Sequence, residues 1–183
     1  MGVLLGALPA NFPAPLLIVP HISADAGDGL ARLLDARCPM RVKEADEREL
    51  ITPGTAYIAP PNYHLLVEKD GSLSFSEDPP VSYARPSIDV LFESAVDVFG
   101  PDLVGVILTG ANFDGSRGLN SVKRAGGIAI VQDPKDAEAE QMPLAALQAT
   151  EVDYVVALDG IAPLLQKLVD AGANTLGQEE CHV

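Results

Sequence analysis

The side chains of this sequence that could move protons are three histidines, a handful of serines and the carboxylate of an Asn112-Phe-Asp-Gly115 turn. His21 follows a short apolar run, Leu16 to Val19, set between Pro15 and Pro20. Asp114 follows a second run, Val104 to Leu108, across Thr109-Gly110. If both runs are buried parallel strands, imidazole and carboxylate emerge at the same edge of the sheet, the edge where open α/β sheets bind their ligands. A carboxylate that takes an imidazole N–H fixes the tautomer and stabilises the imidazolium, the orienting role in a nucleophile-base-acid triad. Simpler roles stand beside this one. Asp before Gly is a turn residue in its own right, and position alone favours a structural histidine at His21 by a small margin. His64, just after Pro60-Pro61-Asn62, is either a half-exposed loop residue or part of the site, and His182 lies in a polar tail.

A triad needs a nucleophile. Ser23 is two residues from His21, Ser116 begins a helix after the turn and Ser87 begins another. None stands on the Gly-flanked strand-to-helix elbow that exposes a hydroxyl beside backbone N–H donors. Phosphate-cradling and dinucleotide loops are missing too, since Gly27-Asp28-Gly29 is too short for either. Cys38 and Cys181 have no metal-ligand spacing, and the acidic run Glu44 to Glu49 reads as a solvated loop. No cofactor or metal is called for.

The elements that must position these groups alternate. Short strands are expected at Leu16–Val19, Arg41–Glu44 (an edge), Ala56–Ala59, Val104–Leu108, Ile128–Val131 and Tyr154–Ala157. His64–Val67 and Ser72–Phe75 flank Asp70-Gly71 as a hairpin. Helices are expected at Val3–Leu8, at Asp25–Arg37 with Asp25 or Asp28 as cap, and from Pro86-Ser87 through Phe99. Others follow at Gly118–Arg124, Met142–Ala149 and Ile161–Ala171, with a frayed tail from Asn174. The fold class is therefore α/β: doubly wound, a mostly parallel sheet with helices on both faces and a short antiparallel hairpin.

With 183 residues and 48% of them hydrophobic, the chain suits a single domain, 1–183, with a sizeable core. A net charge of -14, with no Lys/Arg-rich window, excludes nucleic acid and anionic bilayers as partners. No apolar run approaches the roughly 20 residues of a membrane span, and the first residues lack a basic secretory leader, so a cytoplasmic location is expected.

Several stretches together resemble one family. Tyr57-Ile-Ala-Pro60 with His64, Arg85-Pro-Ser-Ile-Asp-Val-Leu-Phe92, Gly105-Val-Ile-Leu-Thr-Gly110 with Asp114-Gly115, Ala125-Gly-Gly127, Val131-Gln-Asp133 and Met142-Pro143 are similar, in order, to the catalytic domain of CheB, the chemotaxis protein-glutamate methylesterase. The resemblance implies hydrolysis of glutamyl methyl esters on the cytoplasmic helices of methyl-accepting chemoreceptors, and in some members deamidation of receptor glutamines. It implies His21 as base, Asp114 as its orienting acid, and Gly110, Ala111, Asn112, His64 and Arg85 as oxyanion or substrate contacts. It also implies a Ser nucleophile in a Gly-Ala-Ser-x-Gly-Gly turn after a first strand, upstream of the position of Leu8-Pro9, and this chain has no such segment. Ala111 stands where relatives usually have Met, and Pro20 where they usually have Gln.

Two expectations follow. One is an esterase lacking its nucleophile segment and inactive as written; the other is a natural relative that binds a receptor or partner without turnover. An open sheet edge in place of the lost strand leads us to expect a homodimer or segment exchange. No receiver domain is present in the sequence.

Overall fold

In the computed structural model, residues 1–21 and 27–179 are described. The short apolar runs bounded by Pro and Gly form two parallel ladders. In the first, β1 (Leu16–Ile18), β2 (Arg41–Glu44) and β3 (Thr55–Ile58) pair in the order β1-β3-β2. Between the ladders in sequence, β4 (His64–Val67) and β5 (Leu73–Ser76) form the antiparallel hairpin around Asp70-Gly71. In the second ladder β6 (Val104–Ile107), β7 (Ile128–Gln132) and β8 (Tyr154–Val156) follow the order β6-β7-β8. Helices α1 (Gly2–Gly6), α2 (Gly27–Asp35), α3 (Ile88–Phe99), α4 (Ser116–Arg124), α5 (Gln141–Ala149) and α6 (Leu158–Glu179) link and cover them.

The period-two alternation of strands divides the core between two faces. Ala56 and Ile58 of β3 and Ile130 of β7 face Leu4 and Leu5 of α1, Leu34 of α2, and Ile161 and Leu165 of α6. Tyr57 of β3 faces the other way, onto Leu91 and Ala95 of α3. Ala129 and Val131 of β7 and Ile107 of β6 pack against Leu119 and Val122 of α4 and Ala146 of α5. Helices on both faces of parallel strands make this a doubly wound α/β arrangement.

One first-face cluster spans both ladders, yet among the described residues β1 pairs only with β3 and β6 only with β7. Both are edges. All three residues of β1 are half-buried, and β6 alternates half-buried with buried, although continuous apolar runs of this kind fill the centre of parallel sheets.

Other differences from expectation are local. Helix α6 begins at Leu158 instead of Ile161, because the Leu158 N–H is taken by Asp136 Oδ2 at 2.7 Å. It also runs to Glu179, through the segment expected to fray from Asn174; no proline follows Pro163 to stop it. Asp28 is the second residue of α2 and not its cap, and Asp25 lies outside the described residues, as do Ser23, Cys181 and His182. The acidic run after β2 is gathered by Lys43, whose Nζ lies 2.6 Å from Asp46 and 2.7 Å from Glu49. Asp46, Glu47 and Arg48 remain exposed, so the loop is solvated as expected, with Lys43 pairing two of its carboxylates.

Candidate active site

The turn that carries Asp114 is strapped down on the strand side. Thr109 N–H donates to Gln132 Oε1 at 2.8 Å, Gly110 N–H donates to the Ala139 carbonyl at 3.0 Å, and the Gly110 carbonyl accepts Met142 N–H at 2.9 Å. Asn112 then accepts the Asp114 N–H on Oδ1 at 3.0 Å, an Asx turn. Gly115 follows at φ 89°, where α4 begins.

This turn delivers a fully buried carboxylate to the amino end of α3. Asp114 Oδ1 accepts the Ser87 hydroxyl at 2.7 Å and the Asp89 N–H at 3.2 Å; Oδ2 accepts the Ile88 N–H at 2.7 Å and faces His21 Nε2 at 2.9 Å. The first N–H groups of a helix have no partner within the helix and carry the positive end of its dipole, so an anion here meets donors already aimed at it. Burial pushes the Asp114 carboxyl up, but the hydrogen bonds from His21, Ser87, Ile88 and Asp89 outweigh it and hold the group below the usual carboxylate range. Neighbouring Asp89 moves the opposite way: burial raises it and the charge of Asp114 adds to that, against the Gly118 N–H that it accepts.

His21 arrives three residues after β1. Its side chain is 22% exposed while that of Asp114 is 0%, so one edge of the imidazole faces solvent and the other the buried carboxylate. The solvent edge meets Asn112, whose Nδ2 lies 3.2 Å from Nδ1. Ala111 is exposed, and among the described residues its backbone N–H takes no hydrogen-bond acceptor.

The structure brings His21, Asp114 and Asn112 into contact, with Gly110 and Ala111 in the same turn. His64 and Arg85 make no hydrogen bond to His21, Asn112 or Asp114 among the described residues. His64 is 1% exposed and stands behind the site: its Nδ1 accepts the Ser87 N–H at 3.2 Å and its Nε2 donates to the Pro79 carbonyl at 3.3 Å, which leaves neither nitrogen for a substrate. Arg85 spends Nη1 on the carbonyls of Glu77 and Asp78, at 2.7 and 3.2 Å, closing the loop that leads into α3. Ser87 is the residue whose part the sequence did not disclose. Its hydroxyl joins Asp114 and also caps α3 by accepting from Val90 N–H at 3.5 Å; the sequence placed Ser87 at the start of a helix and disclosed neither the cap nor the carboxylate. Of the three candidate serines Ser23 lies outside the described residues, and neither of the other two serves His21, since Ser87 donates to Asp114 and Ser116 Oγ donates to the Phe113 carbonyl at 2.8 Å. No group of residues able to hold a metal ion occurs among those described.

Comparison with known proteins shows the family. Residues 1–165 match the family pattern of the CheB methylesterase. A relative from Leptospira interrogans is 51% identical over 168 residues, which is 92% of this chain and 87% of that one. The protein-glutamate methylesterase FrzG of Myxococcus xanthus is 40% identical over 166 residues, 91% of this chain and 50% of FrzG. The crystal structure of the Thermotoga maritima CheB methylesterase catalytic domain superposes with a TM-score of 0.87 at 32% identity, covering 91% of this chain and 90% of that one. The chain with the His21–Asp114 pair at the amino end of α3 belongs to the CheB methylesterase family.

Proposed function

We propose that this chain is the catalytic portion of a protein-glutamate methylesterase that removes methyl esters from glutamates on chemoreceptor cytoplasmic helices during chemotaxis signalling, in the cytoplasm and without a cofactor. The observation that carries the reading is the 2.9 Å contact between His21 Nε2 and Asp114 Oδ2, side chains 93 residues apart in the chain. A buried, ionised carboxylate fixed by helix donors is suited to steadying an imidazolium. A serine hydroxyl would attack the ester carbonyl while His21 takes its proton and the Ala111 N–H faces the developing oxyanion. Methanol leaves with that proton, and water then cleaves the acyl-enzyme to give glutamate. The same steps applied to glutamine release ammonia. Among the described residues, no helix is long and apolar enough to cross a membrane, which accords with a partner that comes to the site.

No serine hydroxyl faces His21 among the described residues, so the chain as written is inactive in this reading. Extended at its amino end by a strand and a Gly-x-Ser-x-Gly-Gly turn, it should release methanol from methylated receptor, and His21→Ala should lower the rate by about 10³-fold or more. Full activity in that variant would remove His21 from the mechanism.

A second reading, a receptor- or partner-binding relative without turnover, is favoured by Asn112, which occupies the nitrogen of His21 that Asp114 leaves. Retention of methylated receptor helices by the extended chain without methanol release would select it. To either reading we add a homodimer or segment exchange that covers the open edges of β1 and β6. Solution scattering should then give a mass above that of one chain, and a monodisperse monomer would exclude it.

A further inference from the structure

We propose that the proton-accepting nitrogen of His21 is Nδ1, and that Asn112 is the positioning residue that holds the imidazole in this orientation. The assignment rests on donors and acceptors. An ionised carboxylate only accepts, so the 2.9 Å contact of Asp114 Oδ2 with Nε2 requires the proton on Nε2. The neutral ring then presents its lone pair at Nδ1. In the triad template the carboxylate instead takes the proton of Nδ1 and Nε2 is the base; the ring here is used the other way round.

Asn112 makes that orientation specific. An amide can turn either end towards a neighbour, but this one is pinned, because Oδ1 accepts the backbone N–H of Asp114 at 3.0 Å. That contact commits Nδ2, the donor end, to His21 Nδ1 at 3.2 Å. Asp114 thus holds both edges of the ring, one directly through its carboxylate and the other through Asn112. Turning the ring over would set C–H groups against a fully buried carboxylate oxygen and against an amide donor, losing two hydrogen bonds at once. The hydrogen bonds that keep Asp114 below the usual carboxylate range support the accept-only role over the whole neutral pH range.

Nδ1 has a single lone pair, so a hydroxyl that donates its proton there must displace Asn112 Nδ2. The amide stays tethered through Oδ1 and can return. Asn112 therefore holds the base nitrogen while the site is empty and yields it when a nucleophile engages.

That Nδ1 acts as a base rests on the proposed esterase reading; the tautomer and the role of Asn112 do not, and they can be read in the 183-residue chain without substrate. Long-range proton–nitrogen correlation on protein labelled with ¹⁵N-histidine, with His21 assigned by the signals lost in His21→Gln, should show the proton on Nε2 and an unprotonated, hydrogen-bonded Nδ1. A proton on Nδ1 overturns the proposal. In Asn112→Ala the Nδ1 resonance should move to the position of an unprotonated nitrogen without a donor, with the proton still on Nε2. Asn112→Asp keeps the acceptor for Asp114 N–H but faces Nδ1 with a carboxylate oxygen that only accepts, so Nδ1 should be drawn towards protonation and its resonance should move in the opposite direction. An unchanged Nδ1 signal in both removes the role of Asn112. If neither variant folds, the native tautomer alone decides. The expected tautomer with no methanol release from the extended chain would sink the esterase reading and leave this one standing; methanol release with the opposite tautomer would do the reverse.

Discussion

Asp114→Ala should lower the unfolding free energy by about 3–5 kcal/mol at pH 7, because it strips the partner from a set of buried donors in one step. The Ser87 hydroxyl, the Ile88 and Asp89 N–H groups and His21 Nε2 all converge on this carboxylate, and a methyl group offers them nothing. That is a large part of the stability of an ordinary domain, about 5–15 kcal/mol. Urea unfolding of the native and variant chains measures it. A loss below about 1 kcal/mol would show that water takes over the donors and that the site is looser than its geometry.

The same difference should depend on pH in a set direction. The carboxyl of Asp114 is held below its ordinary value in the folded chain, whereas in the unfolded chain it titrates near about 3.9. The folded state therefore binds the proton more weakly. The stabilisation is complete above the unfolded value and is lost as the pH falls through the lower, folded value. The native chain and the Asp114→Ala variant should differ fully at about pH 6 to 7 and converge below about pH 4. A difference that grows on acidification would contradict the assignment.

Gly115→Ala should cost about 2–4 kcal/mol, from two sources that a control can separate. The residue sits at φ 89°, a left-handed conformation that costs an L side chain about 1 kcal/mol or more. A Cβ there would also lie 2.6 Å from Ile107 Cδ1 and 2.7 Å from Ile88 Cγ2, closer than packed carbons allow. Ile88 also provides a donor to Asp114, so relief of the crowding would disturb the site as well. Gly71, at φ 79° in the β4–β5 turn, has nothing within 4 Å of such a Cβ. Gly71→Ala should therefore show the backbone cost alone, about 1 kcal/mol. Equal effects at the two positions would mean that the contacts with Ile107 and Ile88 relax freely. Thermal or urea unfolding of the two variants side by side makes the comparison.

Much of the architecture was legible because its signals are local. Pro15 and Pro20 bracket β1, Asp70-Gly71 marks the hairpin, Pro86-Ser87 opens α3, and the β-branched run from Val104 places β6. Each depends on backbone freedom or on hydrophobic period within a few residues. What misled was long-range. Helix α6 starts early because Asp136, 22 residues upstream, takes the Leu158 N–H. His64 had two local readings, and only the packing of the hairpin against the amino end of α3 put it behind the site with both nitrogens spent.

The candidate site divides in the same way. By itself the sequence determined which groups reach one edge of the strands: His21 after one buried run and Asp114 after another, because a parallel strand carries whatever follows it to its carboxyl end. Through its motifs it also pointed to the methylesterase family. Only the tertiary structure decided that Asp114 sits on the free N–H groups of α3 with Ser87, that it meets Nε2 of His21, and that Asn112 holds Nδ1. Which nitrogen faces which partner depends on the relative placement of β1, β6 and α3 to within a hydrogen-bond length. That placement is set by side-chain packing across the ladders, to which residues distant in the chain contribute together, and no short stretch of sequence carries it.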